Sequence, residues 1–346
     1  MDNKKITIYD LAKASGVSVG TVTRALHNKP RISTVTREHV LAVAERMNYK
    51  ANHLAQSLGR NKINIGVTSV YYIDNFKNEV EKGIRFAFSE LREFNVDNEI
   101  YYVFNEEQSK TNTRKVIDKI IDFCDRKFNG IIIDGSIMNS LSKNELSYIQ
   151  DSKTAIGMMI NYSGSPEASV SVTVNGQCAG GLAAQMLWMM CGGKKVAIFI
   201  GSRSAPIHDQ NVSGFTSFAQ DHSFSDILVY EHMDVESEVI RQTDAMIRTH
   251  SDVAGVYIAS SVSPIICTRL FEAGYSDKIK IVTTDLFDET REYLEKELVT
   301  ATIFQNPFQI GYLITNNLYK HICNLPVEKD HQLAPQLILK SNVRMY

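Results

Sequence analysis

Cysteine is sparse in this sequence, and long apolar runs are missing. The five cysteines are an odd number and include no Cys-x-x-Cys pair, which argues against a disulfide framework and against a zinc site. No apolar stretch is long enough to span a bilayer, and the charged first residues lack the apolar core of a secretory signal. We therefore expect a cytoplasmic protein with no membrane contact.

Motifs of the common enzyme classes are also missing. The sequence has no Gly-x-Ser-x-Gly elbow between a strand and a helix, no His-Glu-x-x-His and no phosphate-binding loop. Four histidines show no metal-ligand spacing, and a solvated or core role is the simpler interpretation: His208, His222, His232 and His250. The sequence thus predicts a protein that is not an enzyme and that needs neither a cofactor nor a metal.

Charge is distributed unevenly along the 346 residues. Residues 1–62 contain 11 Lys or Arg against 4 Asp or Glu, whereas the rest of the chain contains 26 against 35. The small net charge of −2 hides a basic head of +7 on an acidic body of −9. A basic head favours a polyanionic partner, although basic residues on their own are more often a solvated surface.

The basic head has the pattern of a helix-turn-helix. Thr7 and Asp10 form a capping box at the start of a first helix, which Gly16 ends, and Val17 can fill the turn. Ser18 can cap a second helix, and Ser33 can cap a third. The inward residues of these two helices are apolar or small: Val22, Ala25, Leu26, Val40, Val43, Ala44 and Met47.

The outward side of the second helix can reach base edges in a major groove. Arg24 is the strongest candidate, because a guanidinium can donate two parallel hydrogen bonds to guanine. The expected DNA-contacting residues of this region are Thr7, Ser18, Val19, Gly20, Thr21, Thr23, Arg24, His27 and Asn28.

These segments resemble the LacI/GalR family of bacterial transcription regulators. The similarity is carried by Ile-Tyr-Asp-Leu-Ala at 8–12, Gly-Val-Ser at 16–18, Thr-Val-Thr-Arg-Ala-Leu at 21–26, Thr36-Arg37 and Asn48-Tyr49. It continues at 52–58, where the family has a hinge helix that wedges a leucine into the minor groove. The resemblance implies DNA contacts at Asn52, His53, Ala55 and Leu58, although Ala51 replaces the usual proline and Gln56 a common basic residue.

From residue 63 onward, short apolar runs alternate with amphipathic helices. The predicted strands are 63–70, 100–104, 130–134, 195–200, 255–259, 280–284 and 301–304. This alternation predicts an α/β body of two Rossmann-like lobes, in addition to the all-α helix-turn-helix head. The resemblance implies a type I periplasmic-binding-protein fold, with a helix at 308–323 returning to the first lobe.

We expect three regions along the chain. Residues 1–50 form the helix-turn-helix domain, 51–62 the hinge helix and linker, and 63–346 the effector-binding domain. The first lobe is predicted at about 63–165 and 302–325, and the second at about 166–301 and 326–346, with crossovers near 160–170 and 301–306.

In such sheets, ligands bind beyond the carboxyl ends of the strands. Asp285 follows a strand and aligns with the acidic residue that binds sugar hydroxyls in the family. An aspartate at this place can instead cap a helix. Asp134 and Gln305 follow two other strands, and Tyr71, Asn75 and Phe76 lie near the end of the first. Aromatic residues such as Phe76 are as often core packing as a stacking platform.

Two further effector-binding positions depart from the family pattern. Asn211 stands where an arginine is usual, and Ser260 and Ser261 replace an Asn-Asp pair. The complete predicted effector site is Tyr71, Asn75, Phe76, Asp134, Asn211, Ser260, Asp285 and Gln305.

These observations favour a ligand-responsive transcription regulator. The expected form is a homodimeric repressor that binds a near-palindromic operator and takes a sugar, sugar derivative or polyol as effector. The alternatives are a solute-binding protein, which would need export, and a carbohydrate-active enzyme with an added DNA-binding head, for which no motif is present.

Overall fold

The computed structural model describes residues 6, 8–26, 30–47, 49, 62–71, 75–104, 110–160 and 168–346. They fall into two compact units, one containing the N-terminal helices and the other consisting of Ile63–Leu91 and Val96–Tyr346. Seven predicted DNA-contacting residues lie outside the described residues: Thr7, His27, Asn28, Asn52, His53, Ala55 and Leu58.

The described residues of the N-terminal unit form three α-helices, α1 (Ile8–Ser15), α2 (Val19–Leu26) and α3 (Thr34–Arg46). Gly16 follows α1 with a φ of +66°, a left-handed conformation that suits glycine. The side chain of Ser33 caps α3 by accepting a hydrogen bond of 3.1 Å from the N–H of Thr36. Leu11, Val22 and Val40 are fully buried between the helices, so the predicted three-helix core is confirmed.

The second unit is the body, and its elements are numbered along the chain. The first lobe contains β1 (Ile63–Tyr71), α4 (Asn75–Leu91), β2 (Val96–Phe104), α5 (Lys110–Asp125), β3 (Gly130–Asp134), α6 (Lys143–Asp151), β4 (Ala155–Met159), β5 (Val170–Val174), α12 (Pro307–Ile322) and β11 (Asp330–Leu333). The second contains α7 (Gly176–Cys191), β6 (Val196–Ile200), α8 (Pro206–Asp221), β7 (Ile227–Glu231), α9 (Glu236–Thr249), β8 (Gly255–Ile258), α10 (Ser263–Glu272), β9 (Lys280–Thr284), α11 (Asp288–Glu295), β10 (Ala301–Phe304) and β12 (Gln336–Ile338).

Each lobe is built on a six-stranded sheet. The strand order is β11-β5-β4-β3-β1-β2 in the first sheet and β12-β10-β9-β8-β6-β7 in the second. The paired strands run parallel, except that β10 and β12 are antiparallel. Strands covered on both faces must be apolar throughout, and β3 and β6 are accordingly buried along their whole length. The predicted two-lobed α/β body is confirmed.

The predicted lobe boundaries need three corrections. Residues 166–174 were assigned to the second lobe, but β5 pairs with β4 in the first sheet. Likewise, β11 pairs with β5, so residues 330–333 belong to the first lobe. The strand β10 lies in the second sheet, so residues 302–304 belong to the second lobe, and the chain crosses at the end of that strand, within the predicted range 301–306. Hydrophobic pattern alone identifies a buried strand but not the sheet in which it pairs, which explains the errors at β5 and β10, whereas β11 has no apolar pattern that could place it.

The return of α12 to the first lobe is as predicted. A Cβ atom on Gly130 or Gly157, in β3 and β4, would touch the side chain of Leu318 on this helix. The helix thus covers one face of the first sheet. The chain crosses between the lobes three times: after β5, after β10 and after β11.

Candidate functional site

The exposed side of α2 carries the described part of the candidate DNA surface. Ser18 caps α2 by accepting a hydrogen bond of 3.2 Å from the N–H of Thr21. The hydroxyl of Thr23 donates to the carbonyl of Val19 at 2.9 Å, and Val19 itself packs partly against the core of the N-terminal unit. Ser18, Val19 and Thr23 therefore stabilise α2 and its packing, in addition to lying on the candidate DNA surface.

Arg24 is exposed on α2, one turn beyond Gly20. A Cβ atom added to Gly20 would lie 3.7 Å from Nη1 of Arg24, so the guanidinium extends along the helix over the glycine. Because residue 20 is glycine, no side chain at that position covers the guanidinium of Arg24. This arrangement leaves a planar, five-donor cation on the outer face of α2, which is suited to bidentate recognition of a base edge or a phosphate.

A cavity of about 480 Å³ lies where the carboxyl ends of β1 and β3 in the first lobe face the loop between β6 and α8 in the second. Hydroxyl and amide groups dominate its polar lining. The lining residues are Ser69, Lys77, Thr113, Asp134, Ser136, Ile137, Asn139, Ser140, Ser204, Ala205 and Pro206. Such a lining offers many donors and acceptors of hydrogen bonds in a space large enough for a small polar molecule.

Asp134 is the predicted effector residue that lines this cavity. It ends β3, only 4% of it is exposed, and its Oδ1 accepts a hydrogen bond of 2.9 Å from the N–H of Ser136. That bond caps the short 3-10 helix Gly135–Ser140, which supplies several of the lining residues. Asp134 therefore holds one wall of the cavity in place.

Asp285 and Gln305 are brought together at the carboxyl ends of β9 and β10. The Oδ1 atom of Asp285 accepts from the main-chain N–H of Gln305, and Oδ2 accepts from its side-chain amide, both at 2.9 Å. Asp285 is 2% exposed and has a φ of 64°, which is unusual for a residue other than glycine. The alternative of a helix cap is wrong, because Phe287 precedes α11 at the cap position.

Asn211 turns inward rather than toward the cavity. Its Nδ2 donates to the carbonyl of Ile207 at 2.8 Å, and its Oδ1 accepts from the hydroxyl of Tyr257 at 2.8 Å. Both Asn211 and Tyr257 are buried, and burial raises the pKa of the tyrosine. In this arrangement Asn211 fixes a buried phenol, and the geometry gives no support for a direct effector contact.

Ser260 lies just beyond β8 and is 5% exposed. Its hydroxyl pairs with Nε2 of His232 at 3.2 Å. His232 comes directly after β7 and is fully buried. The two residues link the ends of β7 and β8, the strands on either side of β6 in the second sheet.

The remaining predicted effector residues lie around the start of α4. The backbone of Tyr71 ends β1, and its side chain is outside the description. Asn75 is exposed at the first position of α4, and Phe76 is partly buried. The cavity is lined from this helix by Lys77 instead.

Sequence reasoning missed Lys77, Ser136, Ser204, Tyr257 and His232. Ser136 could have been found from the Asp-x-Ser spacing, which is typical of a side chain that bonds to the backbone two residues later. His232 could have been found only by placing a strand at β7, whose residues are mostly half-buried and show no strong apolar run.

Comparison with known proteins agrees with this architecture. Residues 65–325 match the model of the periplasmic binding protein domain, and residues 7–52 match that of the bacterial regulatory proteins of the lacI family. In structure, the chain is similar to GanP, a glucose-galactose binding protein from Geobacillus stearothermophilus. The TM-score is 0.69 at 20% identity, covering 82% of this chain and 99% of GanP.

Two curated relatives are transcriptional regulators. DegA of Bacillus subtilis is 28% identical over 212 residues, which is 61% of this chain and 60% of DegA. The regulator pepR1 of Lactobacillus delbrueckii subsp. lactis is 21% identical over 350 residues, with 98% of each chain covered. The chain thus aligns with about three fifths of one relative and nearly all of the other.

The fold and the two sites define a class: a two-lobed ligand-binding α/β body that carries a helix-turn-helix head. The chain belongs to the periplasmic binding protein domain family, and with its lacI-type head it is a member of the lacI family of regulators. Among the helices of the described residues, none is long and apolar enough to cross a membrane.

Proposed function

We propose that this lacI-family regulator is a repressor that binds a near-palindromic operator as a homodimer and responds to a sugar, sugar derivative or polyol. The supporting observation is the pairing of two features on one chain. The exposed Arg24 surface of α2 is suited to DNA, and the hydroxyl-lined cavity of the body is suited to a small polyhydroxy ligand.

The sugar-like effector is supported by the chemistry of the strand ends. Serine, threonine and asparagine side chains line the cavity, and each can both donate and accept a hydrogen bond, as sugar hydroxyls do. Asp285, whose carboxylate is held by Gln305, lies at the end of β9, and a carboxylate is an acceptor suited to the hydroxyls of a polyhydroxy ligand. The similarity to a glucose-galactose binding protein points in the same direction.

The dimer and the operator symmetry follow from the same proposal. A two-fold protein places two heads in successive major grooves, and it thereby reads a two-fold DNA site. Leu58, outside the described residues, is proposed as the minor-groove wedge that bends the operator centre. We further propose that the protein acts in the cytoplasm, without enzymatic activity.

A ligand screen tests the effector part. Full-length protein is heated with D-galactose, D-glucose, D-galacturonate, myo-inositol or adenosine, and the midpoint of unfolding is compared with that of ligand-free protein. A ligand at about one hundred times its dissociation constant stabilises the native state by about 2.7 kcal/mol, which is an easily measured shift. If adenosine alone stabilises the protein, the sugar class is contradicted; turnover of any sugar contradicts the non-enzymatic role.

Selection from randomised duplexes tests the DNA part. We expect the intact protein to enrich an inverted repeat, and Arg24→Ala to bind that repeat about ten- to hundredfold more weakly while retaining most of its affinity for random DNA. Failure to enrich any site would contradict the proposed role as an operator-binding regulator. An equal loss on random and selected DNA would instead assign Arg24 to the phosphates.

A further inference from the structure

His232 occupies a distinctive position at the end of β7. Its N–H donates to the carbonyl of Ile200 at 3.0 Å and so extends the pairing of β7 with β6 by one residue. The chain then turns through Met233 and Asp234, which have φ values of 56° and 54°. Two successive left-handed residues without glycine are costly unless the surroundings hold them. The N–H of Asp234 donates to Nδ1 of His232 at 3.2 Å, which holds this turn.

This hydrogen bond determines the tautomer of the imidazole. A main-chain N–H can only donate, so Nδ1 must be the unprotonated, accepting nitrogen. A neutral imidazole then carries its one proton on Nε2. Because Nε2 lies 3.2 Å from the hydroxyl of Ser260, the histidine donates this proton and Ser260 accepts it.

The surroundings keep this imidazole neutral. Burial, together with the nearby His208 of α8, lowers the pKa of His232 to about 4. Burial likewise lowers the pKa of His208, whose Nδ1 accepts from the N–H of Ser202 at 3.0 Å. A carboxylate oxygen of Asp234 lies 3.6 Å from Nδ1 of His232, but a neutral imidazole makes no ion pair with it.

A consequence follows for Ser260. Once its oxygen accepts from His232, its own proton must point to a different acceptor, away from the imidazole. We propose that His232 is a positioning residue of the effector site, which fixes the Ser260 hydroxyl as a donor and so selects ligands that present an acceptor beyond β8. A ring oxygen, carbonyl or carboxylate meets this requirement. The inference rests on the proposed function, because it deepens the chemistry of the same effector site.

The link to Ser260 is separate from the structural task of the histidine. Of the two ring nitrogens, Nδ1 is the one that bonds to the turn at Met233 and Asp234, which main-chain hydrogen bonds from Met233 and Val235 also hold. The bond from Nε2 runs instead to the end of β8, a neighbouring element of the strand-end surface where ligands of this fold class bind. Ser260 as a residue is only 5% exposed, so a hydrogen bond from its hydroxyl to a ligand is largely shielded from competing water.

The first test needs no ligand. Nitrogen-detected NMR of the full-length protein at neutral pH reports which imidazole nitrogen of each histidine carries the proton, and His232→Gln assigns the signal of interest. We expect Nε2 to be protonated and Nδ1 to be bare. A proton on Nδ1, or a doubly protonated ring, would overturn the inference regardless of any effector.

The second test measures binding of the same five compounds by calorimetry. A glutamine amide can reach as far as Nε2, whereas an asparagine amide reaches only as far as Nδ1. We expect Ser260→Ala and His232→Asn to weaken binding about tenfold, as for the loss of one hydrogen bond, and His232→Gln to retain most of it. The double variant His232→Asn, Ser260→Ala should bind no more weakly than Ser260→Ala alone.

The control is His222→Asn, which changes another histidine of the same lobe. His222 follows α8, and its ring stacks on Phe218 with the ring centres 4.2 Å apart. We expect no change in its ligand binding. If wild-type protein binds a compound and Ser260→Ala binds it equally well, this inference alone fails. If wild-type protein binds none of the five, the proposed effector class fails and the inference with it.

Discussion

Both carboxylate oxygens of Asp285 accept hydrogen bonds from Gln305, one from the main chain and one from the side chain. Gln305 follows β10 at the second crossover between the lobes. The aspartate therefore holds a crossover segment in addition to its proposed contact with an effector. A buried carboxylate that accepts two N–H groups cannot be replaced by an amide without loss, because an amide offers one accepting oxygen and its NH2 group faces a donor.

We predict that Asp285→Asn lowers the free energy of unfolding of the ligand-free protein by about 1–3 kcal/mol, since one buried donor is left unsatisfied. Urea denaturation followed by circular dichroism measures this. Asp277→Asn is the matched control, because it removes the same charge from an exposed loop position. Equal stability of the two variants would show that the carboxylate is not needed for the crossover and would leave Asp285 with an effector role alone.

A second residue-scale prediction concerns acid stability. The pKa of His232 is lowered from 6.5 to about 4 in the folded protein. Below about pH 6.5 the unfolded chain therefore takes up a proton that the folded chain does not, and stability is lost as the pH falls toward 4. The difference between the two pKa values of His232 corresponds to a loss of roughly 3 kcal/mol in the free energy of unfolding once the pH is below 4.

Urea denaturation at several pH values between about 7 and 5 tests this prediction. The wild-type protein should lose stability more steeply than His232→Gln, whose side chain does not titrate. The pH dependence of the unfolding free energy that remains in the variant includes the contribution of His208, whose pKa is also lowered in the folded protein. Parallel pH profiles of the two proteins would show that His232 titrates normally and is accessible to water.

At the scale of elements, each lobe depends on one very close helix pair. A Cβ atom on Gly311 of α12 would lie 2.0 Å from the carbonyl oxygen of Val80 in α4. In the second lobe, a Cβ atom on Gly180 of α7 would lie 1.9 Å from the carbonyl oxygen of Asn211 in α8. The obstacle in both cases is backbone, which cannot rotate away as a side chain can. These helices begin at strand ends or crossovers, so their spacing also sets the position of the cleft loops.

We predict that Gly180→Ala lowers the unfolding free energy by about 1–3 kcal/mol or more, because the two helices must separate. Gly181→Ala is the control on the same helix, where the nearest atom to an added Cβ is 3.9 Å away. The control should be neutral or slightly stabilising, since alanine is the better helix former. Thermal unfolding of both variants measures the contrast. Equal midpoints would contradict the close packing of α7 and α8.

The contrast between predicted and missed elements has a physical basis. Strands β3, β6 and β8 are buried along their whole length, so their sequences are apolar and were predicted. By contrast, β11 reads Asp-His-Gln-Leu, and its place depends on main-chain pairing with β5, which leaves no apolar signal. Because β7 was not predicted, His232, which directly follows this strand, was not recognised as a residue at a strand end.

The candidate site was predictable to the extent that it follows strand ends. Asp134, Asp285 and Gln305 were identified in this way, and the structure pairs the latter two. The inward orientation of Asn211 was not predictable, because it depends on Tyr257, 46 residues away along the chain. Contacts between distant segments of this kind are invisible to local pattern.

At the scale of the whole molecule, charge separates the two tasks of the chain. The basic residues are concentrated in the first 62 positions, and the remainder carries a net negative charge. A basic head attracts DNA through release of bound counterions, whereas a neutral polyhydroxy ligand gains nothing from net charge. The acidic body repels DNA and so leaves binding to the head.

The connection between the lobes suits a switch. The lobes are joined by three crossovers, and two of them leave the adjacent strands β5 and β11. A hydrogen bond of 3.2 Å from Nδ2 of Asn175 to Oε1 of Gln332 links the ends of these two strands. Small backbone rotations in a few such residues can move one lobe against the other without repacking either core. Effector binding in the cleft therefore has a mechanical route to domain closure.

We predict that the effector and the operator are thermodynamically linked. If the effector changes the operator affinity by a factor, the operator must change the effector affinity by the same factor, typically 5- to 150-fold. Fluorescence anisotropy with labelled operator, with and without saturating sugar, gives one value, and calorimetry with the sugar, with and without operator, gives the other. Ser260→Ala should shift the sugar concentration required, and the factor at saturation stays unchanged when the lost hydrogen bond weakens sugar binding equally with and without operator. A factor of one in both measurements would mean that cleft and head act independently, and the body would then be a binding module without regulatory influence.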